Sequence, residues 1–166
     1  MPINAQNELA DIVYQQGNHK LIKAREEHID AIVPFMRRHD RLEVACMGHS
    51  PQQALKNAFD TDDVTLTILD ERNIPIAMLG VGQVTDLAYI WMLGTDSVVD
   101  ASYDFIKASR KITQSLTKPY GATFNFVHAE NKTAIKWLKF CGAKFLRKLY
   151  FSDHPFYEFI ITYRKK

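Results

Sequence analysis

Apolar residues recur at helical spacing in several stretches of the chain. In Glu27–His39, Ile29, Ile32, Val33 and Met36 fall at i, i+3, i+4 and i+7, which predicts an amphipathic helix with Arg37 and Arg38 in its last turn. Pro34 lies inside it and lacks a backbone donor, so a kink is expected there. A second helix opens at Ser50, with Pro51 at its first position and Gln53 completing a capping box. Ala54, Leu55, Ala58 and Phe59 form its apolar face. A third opens after Ser97, three residues before Asp100, and its face is Ala101, Phe105, Ala108 and Ile112. Pro119–Gly121 stops it. A fourth, Lys132–Phe140, ends at Cys141–Gly142. In residues 1–18, Leu9, Ile12 and Val13 are at helical spacing, which predicts a leader with a short docked helix.

Between the helices lie β-branched and alternating runs. They predict strands at His19–Arg25, Val64–Leu69, Ile74–Val81, Leu87–Leu93, Thr123–His128, Ala143–Phe151 and Tyr157–Tyr163. Asp70–Asn73 has turn chemistry and makes the second and third of these a hairpin. The order β-α-α-β-β-β-α-β-α-β-β predicts an α/β (α+β) domain over residues 19–166, with helices on the faces of a mixed sheet.

Composition narrows the class. The chain has 166 residues, 46% hydrophobic and 24% charged, enough for one core without disulfides or a metal. No apolar run reaches the roughly 20 residues of a membrane span. The polar first twenty residues do not read as a secretory segment, and two distant cysteines, Cys46 and Cys141, favour a reducing compartment. A soluble intracellular or particle-internal protein is expected. Charge is divided unevenly: residues 1–100 hold 8 Lys+Arg against 15 Asp+Glu, residues 101–166 hold 13 against 4. The C-terminal part therefore suits an anionic partner, unless the two parts pair with each other.

The segment FNFVHAENKTAIKWLKFCGAKF, residues 124–145, resembles the C-terminal motif of the GNAT acetyltransferase superfamily. Asn131, Ala134, Ile135 and Gly142 stand at matching positions, and the element order matches over essentially the whole chain. This implies a largely antiparallel GNAT-like sheet with helices on both faces. A narrower pattern, MRRHDRLEV (36–44), IWMLGTD (90–96), FIKASRKI (105–112) and WLKFCGA (137–143), resembles the internal virion proteins of short-tailed (podovirus) bacteriophages.

The resemblance also shows departures. Superfamily enzymes cradle the coenzyme A diphosphate with main-chain N–H groups of a glycine-rich turn. Here that turn reads Gly94-Thr95-Asp96-Ser97-Val98-Val99-Asp100-Ala101, with one glycine, two valines and two carboxylates. The position of the tyrosine that protonates the departing thiolate is Leu138, and the usual Phe after the helix-ending Gly is Ala143. A reused scaffold without acetyltransferase activity is thus the first expectation: a virion-associated structural or interaction protein of the internal core or portal–tail region, made in the host cytoplasm. Its partners would be other virion proteins, it would form an oligomer within the particle, and it would need no cofactor.

The alternative is an acyl-CoA-dependent N-acetyltransferase. In it His128 or Glu130 would be the base, Leu93, Gly94 and Thr95 would contact the pantetheine of acetyl-CoA through the main chain, and Asn131 would add a polar contact. A solvated strand-end pair is the plain reading of His128 and Glu130. Arg37, Asp40 and Glu43 line a substrate groove in that alternative, or form a solvated helix face. A third reading is a phage-encoded protein that binds a host factor.

Two basic helix faces stand out: Lys107, Arg110 and Lys111 on one, Lys132, Lys136 and Lys139 on the other, with Lys118 nearby. They suit non-specific contact with nucleic acid or an acidic protein surface, or are ordinary solvated faces. Cys46-x-x-His49 has no second ligand pair, so no metal site is expected.

Overall fold

The structure is a computed structural model, and it describes residues 12–100 and 103–165. Strand β1 (Ile12–Gln16) turns at Gly17, whose φ is +59°, into β2 (His19–Lys23). Ile12 and Val13, expected in a docked helix, therefore belong to an edge strand that pairs with β2. Leu9 lies outside the described residues.

The helix expected over Glu27–His39 is two helices. α1 (Glu26–Ile32) runs into a 3-10 turn at Val33–Phe35, the chain extends at Met36 and Arg37, and α2 (Arg38–Cys46) begins anew. Pro34 has no N–H for the helical ladder, so the helix cannot pass through it. The break is then fixed from outside. Met36 bridges Thr95, Arg37 N–H donates to the Gly94 carbonyl at 2.8 Å, and Arg41 donates to the Met36 and Val33 carbonyls at 3.0 and 2.6 Å. Helix α3 (Pro51–Thr61) starts as its sequence dictates. Ser50 Oγ accepts from Gln53 N–H and Gln53 Oε1 accepts from Ser50 N–H, both at 3.1 Å.

Strands β3 (Val64–Leu69), β4 (Pro75–Val84) and β5 (Leu87–Gly94) form a meander. A 3-10 turn (Asp96–Val98) precedes α4 (Tyr103–Thr117), so Ser97 sits inside that turn and the helix begins later than its capping signal implies. Next come β6 (Ala122–His128), α5 (Lys132–Phe140), and β7 (Lys144–Phe151) with β8 (His154–Thr162). The β7–β8 turn, Ser152–Asp153, has both φ angles positive, +49° and +65°, which makes a tight hairpin.

All strands join one sheet in the order β1-β2-β3-β4-β5-β6-β8-β7. Every pairing is antiparallel except β5 with β6, as the superfamily resemblance implies. Helices cover both faces. Ile29, Ile32, Met36, Val44 and Leu55 pack with Met78 and Leu93 on one face. Ala108, Ile112, Leu116 and Leu138 pack with Leu79, Ile90, Val127 and Phe159 on the other. Central β4 is buried from Ile76 to Gly82 in consequence. No helix among the described residues is long and apolar enough to cross a membrane.

Candidate active site at a split in the sheet

Strands β5 and β6 pair at a single position, Tyr89 opposite Phe124, and then separate. One side chain takes the place of the next rung. The next rung of a parallel ladder would run from Phe126 N–H to the Ile90 carbonyl. The Asn125 amide takes both groups: Nδ2 donates to Ile90 O at 2.7 Å, and Oδ1 accepts from Phe126 N–H at 2.8 Å. A polar residue in the middle of an apolar strand thus closes the ladder early with every group paired.

Beyond this point the sheet opens into a cleft of about 1060 Å³ that reaches both faces. Alternation along β5, fixed by Thr95 N–H donating to Ile76 O at 2.8 Å, directs the main-chain groups of Ile90, Met92 and Gly94 toward the opening. Those of Gly94 are engaged: Asp40 Oδ2 accepts its N–H at 2.9 Å and Arg37 N–H donates to its carbonyl. A Cβ at Gly94 would stand 2.9 Å from Ala77 Cβ, so only glycine fits this strand end. Leu93 lines the cleft, and Thr95 uses both N–H and Oγ1 on Ile76 O.

At the deep end lies Glu43, one turn along α2 from Asp40. Its Oε1 accepts from His128 N–H and from Asn131 Nδ2, both at 3.0 Å. Asn131 also caps α5 by accepting from Ala134 N–H. Burial raises the Glu43 carboxyl to about 7, against the lowering effect of its two hydrogen bonds. Burial raises Asp40 as well.

Of the two bases expected from sequence, neither lines the cleft. His128 is 2% exposed, its Nδ1 accepts from Glu130 N–H at 3.1 Å, and its Nε2 meets His154 Nδ1 at 3.1 Å. The Glu130 side chain is on the surface. Glu43, which the sequence placed only in a groove with Arg37 and Asp40, is a carboxylate that the fold brings to the split, joined there by Asp40 and Asp62.

The opposite wall, on the face of α3, went unnoticed in the sequence. Asp62, at the end of α3, accepts from Trp91 Nε1 at 2.7 Å and from the Tyr89 hydroxyl. Burial raises the Asp62 carboxyl, and burial followed by the Asp62 hydrogen bond raises the Tyr89 phenol. Room for the rings comes from the facing strand, where Gly80 is opposite Trp91 and Gly82 opposite Tyr89. A Cβ at Gly82 would lie 2.5 Å from both the Tyr89 oxygen and Asp62 Oδ1. Gly-x-Gly paired with Tyr-x-Trp across a hairpin is the signal that sequence carried. Phe124 and Phe126, in edge contact at 6.0 Å, complete an aromatic wall.

On the other face the cleft passes between α4 and α5, past Ile106, Ser109, Thr133, Trp137 and Lys136. Leu138 is 7% exposed and belongs to the core. Among the described residues no group of three or more His, Cys, Asp and Glu is placed to hold a metal ion.

The arrangement has counterparts. An acetyltransferase (GNAT family) from Bacillus anthracis superposes with a TM-score of 0.66 at 8% identity, over 91% of this chain and 98% of that one. The fold is that of the GNAT acetyltransferases. The ribosomal-protein-S5-alanine acetyltransferase from Vibrio fischeri gives 0.64 at 10% identity, covering 92% and 97%. The spermidine N-acetyltransferase from Vibrio cholerae, in complex with CoA and spermine, gives 0.62 at 12%, covering 89% and 97%. The chain matches no protein-family model and, by sequence, no curated protein.

Coenzyme A, which the GNAT fold implies, fits in part. The open split and the outward-facing Met92 suit the slender pantetheine arm. The turn after β5 does not suit a diphosphate. Val98, Val99 and Asp100 donate their N–H groups to Thr95, Asp96 and Ser97 within the 3-10 turn, and Asp96 and Asp100 place carboxylates beside it.

Proposed function

We propose that this protein is an N-acyltransferase that moves an acyl group from a thioester to an amine, with Glu43 as the base. The observation that carries the reading is the position of Glu43: a part-buried carboxylate at the deep end of a cleft that enters the sheet from both faces. The donor substrate supplies an electrophilic carbonyl. The amine enters past Asp62, Trp91, Tyr89 and the phenylalanines, since a carboxylate beside aromatic faces attracts a cationic head. The ammonium first gives one proton to water. As the C–N bond of the neutral amine forms and the C–S bond breaks, Glu43 takes the second proton from the nitrogen and later returns it to solvent. Leu138 has no proton to give, so the departing thiolate is protonated from water.

A base titrating near pH 7 is ionised enough to accept a proton and weak enough to release it. Thiol release from acyl thioesters in the presence of primary amines tests the reading. Glu43→Gln is expected to lower the rate by about 100-fold and to abolish the rise through pH 7. An unchanged rate and pH profile overturn the assignment of the base. The virion role implied by the narrower resemblance is a separate proposal that rests on the residue pattern alone. Absence of the chain from washed particles overturns it.

A further inference from the structure

The donor side of the cleft opens between two basic helix faces. Helices α4 and α5 are joined there by Trp137 Nε1 donating to Ser109 Oγ at 2.9 Å and by the Arg110 guanidinium lying 5.6 Å from the Phe140 ring centre. Lys107, Arg110, Lys111, Lys132, Lys136 and Lys139 are exposed on these two helices, and Lys136 and Phe140 line the cleft itself. Neither helix carries a carboxylate among its described side chains, residues 106–117 and 132–140. Phe140, beside Arg110, is 38% exposed.

The adjacent turn is built the opposite way, with the N–H groups of Val98, Val99 and Asp100 engaged internally and two carboxylates at its edge. A free nucleotide thioester needs a local clamp for its diphosphate, and the described residues of this turn, 94–100, offer none. A thioester delivered on a protein has no such need. Its pantetheine arm ends in a single phosphodiester, which one lysine ammonium can meet, and the binding energy comes from the carrier's own surface. Two neighbouring basic helix faces with an exposed aromatic ring, Phe140 beside Arg110, match an acidic protein face with an apolar spot.

We infer that the donor is an acidic carrier protein with a thioester-bearing 4′-phosphopantetheine arm, docked on the basic faces of α4 and α5, with its arm entering beside Lys136. This rests on the acyltransferase reading and deepens it.

The test uses the full chain, a Lys132→Glu/Lys136→Glu double variant, and Lys20→Glu, on β2 at the other end of the sheet, as a charge control. Acyl carrier protein in apo, holo and acetylated forms is compared with coenzyme A, acetyl-CoA and a short DNA duplex. Binding is read by calorimetry and thiol release with primary amines as acceptors; circular dichroism confirms that each variant is folded. The expected result is that holo carrier binds at least about tenfold more tightly than coenzyme A, that the double variant loses about tenfold or more, and that salt weakens binding. Lys20→Glu should leave it unchanged. Equal use of acetyl-CoA and acetyl carrier, insensitive to the double variant, overturns the carrier and leaves the acyltransferase standing. No thiol release from either donor overturns both. Tighter binding of the DNA duplex than of any carrier form assigns the face to nucleic acid and overturns the carrier.

Discussion

Asn125 donates to the Ile90 carbonyl across the boundary between β5 and β6, at 2.7 Å, and so stands where a ladder bond would otherwise form. This amide occupies both groups of the next rung at the split. Asn125→Ala removes the partner of both the Ile90 carbonyl and the Phe126 N–H. The expected loss is about 1–3 kcal/mol of stability, read from urea unfolding, together with loss of thioester binding. An unchanged unfolding midpoint rejects the role given to the wedge.

Glu43 sets a pH dependence of stability. Its folded pKa, about 7, lies above the unfolded value near 4.5. Between these values the folded state holds a proton that the unfolded state has released. Stability from this group is therefore full at low pH and falls as pH rises toward 7, and Asp40, also raised, acts in the same direction. Glu43→Gln should gain about 1–3 kcal/mol at pH 8 and little at pH 4, measured by denaturant titration at the two values. An equal effect at both would show that the Glu43 carboxyl is not perturbed.

Asp62 is the acceptor for two aromatic donors at once. Asp62→Ala leaves the Trp91 N–H and the Tyr89 hydroxyl without partners, at a cost of about 1–3 kcal/mol. Gly82→Ala should reach a similar state by pushing the Tyr89 ring away. Both variants are expected to raise the KM for the amine more than they lower kcat. A change confined to kcat would place the amine elsewhere.

Leu138 packs between helix and sheet at 7% exposure. Leu138→Tyr forces a hydroxyl and a larger ring into that core, with an expected destabilisation of about 1–3 kcal/mol. Thermal melting reads the loss. Thiol release should not increase, because the side chain at this position is held in the core where it borders the cleft. A faster variant would mean that this position reaches the reacting atoms.

The sequence by itself determined the order of most elements, the apolar faces of the helices, the Ser50 capping box and the chemistry of the turn after β5. These depend on neighbours a few residues apart, through periodicity, capping and charge. It also carried Asn131 through its motif, though only as a polar contact. Tertiary structure decided the rest. The break at Met36–Arg37 was half visible in Pro34 but was completed by Thr95 and Gly94, more than fifty residues away. Asn125 reaches Ile90 across 35 residues, and Asn131 reaches Glu43 across 88. The proton affinity of Glu43 follows from burial at that junction, and Asp62 meets its aromatic partners only because two glycines clear the facing strand. Propensity acts locally, whereas desolvation and an interrupted ladder exist only once distant segments have packed.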